Sequence, residues 1–171
     1  VSAFLLNRSS DLDPLTLKEA TITRATLTPG TDGKGLNPSW TAGDNISVLN
    51  ITRLGGDFSI TELSAKLSTN SAGITSAFTG GTLFCMKTDK MAVAYPATNF
   101  NNDGTYSISL TGQDGTLATL ANRFHYLYGV ASVTDADATT ATATMYKPMQ
   151  PLLCICHFTF KLGDTYVKAI R

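Results

Sequence analysis

The run Leu152-Leu-Cys-Ile-Cys-His-Phe-Thr-Phe-Lys-Leu162 alternates with the period of a β-strand and is expected to form one. In an extended backbone successive side chains point to opposite faces. Leu152, Cys154, Cys156, Phe158, Phe160 and Leu162 then share one face, and Ile155, His157, Thr159 and Lys161 share the other. A strand with so continuous an apolar face requires a second layer of structure to cover it. Shorter runs of the same kind recur along the chain. Lys18–Thr28 is Thr-rich and free of Gly and Pro, Asn45–Thr52 places Ile46 and Val48 on one face, and Ile74–Phe78 precedes Gly80-Gly81. Lys90–Tyr95 ends at Pro96, which lacks a ladder donor. Tyr106, Ile108 and Leu110 follow the turn-forming Asn101-Asn-Asp-Gly104, and Phe124–Val133 places Tyr126, Tyr128 and Val130 together. Val167 and Ile170 are expected to begin or continue a last strand.

Strands at intervals of about ten residues, separated by Gly, Asn and Asp, predict an all-β fold, a two-layer antiparallel β-sandwich. Leu117–Asn122 is the one segment suited to a short helical turn, and Asp135–Ala143 reads as a small-residue connection. Residues 1–17, with Asn7-Arg-Ser-Ser-Asp11 and Asp13-Pro14, read as a loosely ordered N-terminal segment, and 18–171 as a single sandwich domain. Serine and threonine exceed a fifth of the chain, as suits pleated, half-buried surfaces. Apolar residues at 43% against charged residues at 15% exclude a disordered chain. Thirteen basic residues balance thirteen acidic ones without clustering, so no stripe exists to neutralise nucleic-acid phosphates or an anionic membrane. No apolar window reaches the length of a membrane-spanning helix. The chain opens at Val1, with neither an initiator Met nor a signal segment, and is expected to be a mature or trimmed form.

Residues that carry chemistry are few. His157 adjoins Cys156, but neighbours on a strand point to opposite faces and cannot form a nucleophile–base pair. His125 stands between Phe124 and Tyr126 and reads as an ordinary strand residue. Cys85, Cys154 and Cys156 are too few for a disulfide framework, and Cys-x-Cys without a second pair does not make a zinc site. Asn99–Gly104 lacks the alternating acids of a calcium loop, and the Gly-Gly pairs do not lead into helices that would hold a phosphate. No metal, cofactor or catalytic group is expected, and the chain reads as a non-enzyme. Trp40, Tyr95, Tyr126 and Tyr128 read as core, with Trp40 the candidate for a ligand-facing aromatic.

Several of these segments, taken in order, resemble the fimbrillin family of Bacteroides and Porphyromonas. They are Ile22-Thr-Arg-Ala25, Trp40-Thr-Ala-Gly-Asp-Asn-Ile-Ser-Val48, Ala77-Phe-Thr-Gly80 and Val93-Ala-Tyr-Pro96. Leu110-Thr-Gly-Gln-Asp-Gly-Thr-Leu-Ala118, Tyr126-Leu-Tyr-Gly-Val-Ala131 and the run from Met149 to Leu162 complete the order. The resemblance implies a transthyretin-like sandwich of about seven strands, usually followed by a second sandwich. It implies a structural subunit of surface fimbriae, exported as a lipoprotein to the outer membrane, with other fimbrial subunits as partners. Such subunits join by β-strand addition, in which a strand of one subunit completes the sheet of the next. The family is processed after an Arg near the N-terminus. Arg24 and Ala25 match that site, and Thr21, Ile22 and Thr23 would lie in the exchanged first strand. The alternative is a carbohydrate- or host-ligand-binding adhesin, tip or anchor on the same sandwich, using Trp40.

Overall fold

The structure, a computed structural model, describes residues 13–21, 26–29, 36–137, 139–154 and 161–166. In chain order it contains β1 (Asp13–Thr21), β2 (Thr26–Pro29), β3 (Leu36–Ser39), β4 (Asn45–Asn50), α1 (Ile60–Leu63) and β5 (Ser64–Ser68). There follow β6 (Thr75–Leu83), β7 (Lys90–Tyr95), and α2 (Leu117–Thr119), which runs into a π-helical turn at Leu120–Phe124. The remainder is β8 (Leu127–Ala136), β9 (Ala141–Met145), β10 (Gln150–Pro151), β11 (Lys161–Leu162) and β12 (Thr165–Tyr166).

These strands do not stack as two layers. Among the described residues, seven of them run β8-β7-β4-β5-β6-β1-β9, and β9 pairs back onto β8, closing the sheet into a barrel. The short β10 adds to the free end of β8, while β2–β3 and β11–β12 form separate hairpins. The expected transthyretin-like two-layer sandwich is therefore corrected to a closed barrel with one extra strand and two short helices. The expected antiparallel sheet is also corrected at one seam, since β1 runs parallel to β9. The physical reason is that alternation reports only which side chains are covered. A barrel interior and a sandwich interior bury one face of each strand equally, so periodicity does not distinguish them.

β1 starts five residues earlier than the sequence suggests, at Asp13 rather than Lys18. Leu15 and Leu17 point into the barrel and are fully buried, so the later part of the segment expected to be loose is a central strand. β7 matches the expected run from Lys90 to Tyr95. β8 takes the opposite phase from the one expected: Leu127, Ala131 and Val133 are buried inside, while Tyr128 and Val130 face outward and are half-buried. Gly129 lies on the inward face, in step with Leu127 and Ala131. A Cβ there would stand 2.4 Å from Met145 Cε and 3.1 Å from Met149 Cγ, so two methionines occupy the space a side chain would need. The 135–143 stretch is not a plain connection but a hairpin from β8 into β9. The Leu152 amide still donates to the Tyr126 carbonyl at 2.9 Å, after which the chain leaves the sheet, with Leu152 half exposed and Cys154 exposed. The rest of that alternating run, residues 155–160, lies outside the described residues, as do Val167 and Ile170.

Gly80-Gly81, read from sequence as a break, is a corner inside β6. Ser76 and Phe78 face inward before it, Gly81 and Leu83 after it, so the alternation slips by one residue. Gly80 adopts φ of +103°, and a Cβ on Gly81 would meet Ala65 Cβ and the Lys66 carbonyl at 2.7 Å. Glycine here lets β5 and β6 approach while the sheet curves.

β4 and β7 are buried on both faces. Inside, Ile46, Val48, Met91, Val93 and Tyr95 join the main core around Trp40, Phe78 and Leu83. Outside, Leu49, Ala92 and Ala94 are covered by Leu63 and Phe100, with Phe58 and Phe84 stacked alongside. α1 provides this cover. Ser59 and Glu62 form its capping box, a signature that reads from the sequence Ser59-Ile-Thr-Glu62. Asp89, buried beside β7, accepts hydrogen bonds from Asn50 Nδ2, Arg53 Nε and the Met86 amide, tying three segments at one end of the barrel.

Trp40 is 1% exposed, with Phe78 and Tyr95 edge-on to it at 4.6 and 5.4 Å between ring centroids. Its backbone is bridged to Gly73. Trp40→Ala should cost about 3–5 kcal/mol of unfolding free energy in urea denaturation; a change within about 0.5 kcal/mol would place this ring outside the cooperative core.

Candidate functional site

The candidate site is the slot that β1 fills. β1 lies between β6, antiparallel, and β9, parallel. Leu15 is aligned with Gly81 on one side and Ala141 on the other, and Leu17 with Phe78 and Ala143. Ala141 and Ala143 are small, and this leaves volume for the two leucines, which fill the barrel between β6 and β9. The β1–β6 register shifts between Leu15 and Leu17 and again before Ala20, so this ladder is irregular. A parallel ladder is slightly weaker per residue than an antiparallel one. Removing β1 would leave two unpaired strand edges and an apolar trough.

Of the residues singled out from the sequence, Thr21 is the last residue of β1 and is aligned with Thr75. Ile22, Thr23, Arg24 and Ala25 lie outside the described residues. Trp40 does not face a ligand; it is core, for the reason that its ring fills the barrel interior. The Trp-x-x-Gly-Asp motif is a turn that seats this ring. Asp44 accepts from the Thr41 amide at 2.8 Å, the Asp44 amide donates to the Thr41 carbonyl at 3.0 Å, and Gly43 adopts φ of +92° between them. His125 is half buried next to the π turn, while Cys156 and His157 lie outside the described residues. Cys85 is buried, and among the described residues no three His, Cys, Asp or Glu side chains converge as metal ligands.

Among the described residues, two open clefts stand out on the outer surface. One, of about 390 Å³, lies between Ser64–Lys66 and Thr98–Phe100, where the Ser47 hydroxyl donates to the Thr98 carbonyl. The other, of about 260 Å³, is lined by Tyr128, Tyr146, Lys147, Gln150 and Leu152. Tyr106, half-buried against Phe100 and Tyr126, donates its hydroxyl to the Pro96 carbonyl at 2.5 Å. Burial pushes its phenol pKa well up, with the nearby Tyr126 and Tyr95 phenols adding to the rise.

One turn design recurs three times. Asp103, Asp114 and Asp137 each accept from the backbone amide and the hydroxyl of the threonine two residues on, Thr105, Thr116 and Thr139. These hydrogen bonds hold all three carboxyls below their ordinary value of 3.8.

No family model matches the chain, and no curated protein or solved structure matches it significantly.

Leu17→Ala should destabilise the fold by about 2–5 kcal/mol and raise amide exchange in β1, β6 and β9 ahead of β4 and β7; uniform exchange would show that β1 is not a separable strand. The lowered carboxyls favour the folded state when ionised. Their contribution is complete above the ordinary value of 3.8 and is lost as pH falls through the lower folded values. Replacing Asp103, Asp114 and Asp137 together by Asn should therefore lower the melting temperature at neutral pH, with the gap from the parent closing under strong acid. A gap that is constant with pH would contradict this.

Proposed function

We propose that this chain is a structural subunit of a bacterial surface fimbrium, of the fimbrillin kind, which joins its neighbours by exchanging β1. The observation that carries the reading is that β1 alone stands between β6 and β9, and lies just before Arg24-Ala25 in sequence. A closed barrel offers no edge to a neighbour. Cleavage after Arg24 would cut the only covalent link between β1 and the rest of the barrel, because everything upstream of the cut is released as one piece. The edges of β6 and β9 would then open together with the trough of Leu15 and Leu17. An incoming strand with apolar residues at alternate positions would restore both the hydrogen bonds and the burial.

In this reading the exchanged strand is Asp13–Thr21, of which the expected Thr21–Thr23 shares only Thr21; support comes from Leu15 and Leu17, which are buried in the barrel. In this reading the partners are other fimbrial subunits, the chain has no catalytic role, and it works at the cell surface after export as a lipoprotein. The adhesin alternative loses its residue, because a buried Trp40 offers no face to a sugar.

The test is digestion with an Arg-specific protease, followed by intact-mass and size measurements. Cleavage at Arg24–Ala25 should precede the appearance of higher assemblies, and Arg24→Ala should abolish both. Assembly with that bond intact, or a cleaved chain that keeps β1 and stays monomeric, would reject strand exchange.

A further inference from the structure

Thr105-Tyr-Ser-Ile-Ser-Leu110 has the composition and alternation of a strand, yet it belongs to no sheet. Over these six residues the chain runs without turn, bend or ladder. Its inward edge is anchored. The Ser109 amide donates to the Tyr126 hydroxyl at 3.1 Å, and that hydroxyl donates to the Ser109 carbonyl at 2.9 Å, so both backbone groups of Ser109 point to the same side. The Thr105 carbonyl accepts from the Asn101 amide at 2.9 Å. In an extended chain adjacent residues aim their N–H and C=O groups at opposite edges. Tyr106, Ile108 and Leu110 therefore turn theirs away from Tyr126. Among the described residues, nothing bonds the N–H groups of these three or the carbonyls of Tyr106 and Ile108. The Leu110 carbonyl has one weak contact, 3.3 Å from the Gln113 side chain. On the same stretch Ile108 is 40% and Leu110 47% exposed.

We propose that Tyr106–Leu110 is an edge that pairs antiparallel with the same segment of a second copy of this chain, about a two-fold axis at Ile108. The register is self-complementary. With Ile108 opposite Ile108, Tyr106 falls opposite Leu110, and the outward-facing residues are those that an antiparallel ladder bonds in pairs. Charge favours the same occupant. Edges of native sheets are usually blunted by Lys, by inward charges or by Pro; Thr105–Thr111 carries none of these, so self-pairing opposes no like charges. The isologous contact would bring Ile108 and Leu110 of both copies into one apolar cluster. It uses a different edge from the β1 slot and leaves the barrel closed.

Sedimentation and light scattering of the chain with Arg24–Ala25 intact test the pairing, so that its failure is separable from failure of strand exchange. A concentration-dependent dimer is expected. Ile108→Pro, which removes the central N–H, and Ile108→Lys, which sets two cations face to face, should each abolish the dimer while leaving the melting temperature of the dilute monomer unchanged. Amide exchange gives a readout that needs no substitution. Protection at Tyr106 and Ile108 should grow with concentration, whereas the Ser109 amide should be protected at every concentration. A chain that stays monomeric up to millimolar concentration, a dimer that survives both substitutions, or concentration-dependent protection elsewhere would each overturn the proposal.

Discussion

The parallel ladder between β1 and β9 decides the shape of this molecule. Its residues come from opposite ends of the chain, Leu15 beside Ala141 and Leu17 beside Ala143, so its closure entropy is met only once the intervening strands are in place. Without it the remaining strands form an open, strongly curved sheet with one apolar face uncovered. With it, that face becomes an interior, and the two leucines of β1 complete the packing begun by Phe78 and Leu83. The strand that closes the barrel is thus also the one whose loss would leave two unpaired edges and an apolar trough, which is why structure and proposed assembly turn on the same element.

Around that seam the barrel is stiffened unevenly. β4 and β7 are sealed on both faces, by the Trp40 cluster inside and the Phe100 cluster outside. Asp89 anchors their end through Asn50 and Arg53. β1, by contrast, meets β6 in a ladder with two register shifts. Stability concentrated on one side and irregular pairing on the other is the arrangement expected of a fold that opens locally rather than globally.

Much of the secondary structure is legible in the residues. Lys90–Tyr95 reads as a strand and is one, because its small and branched residues suit burial on both faces and Pro96 ends the ladder. The helical turn after Thr116 is legible from Leu117-Ala-Thr-Leu, and α1 could have been found from its capping box. The misreadings share one cause. Tyr126, Tyr128 and Val130 were the obvious apolar face of β8, but the inward face is the one with Gly129, since Met145 and Met149 supply the bulk from elsewhere in the chain. Gly80-Gly81 looked like an ending and is a corner, because a glycine pair interrupts a strand and bends one with the same composition. Trp40 had two open uses as a lone aromatic, and its burial depends on Phe78 and Tyr95 arriving from distant strands.

By itself, then, the sequence determined a mostly β chain, many of its strands and the turn at Asn101–Gly104, because these rest on backbone preferences and contacts a few residues apart. Barrel against sandwich, the inward phase of β8, the burial of Trp40 and the strand-like but unladdered 105–110 segment were decided only in three dimensions. Each of those depends on which distant strand arrives alongside, and side-chain periodicity carries no record of a neighbour's identity.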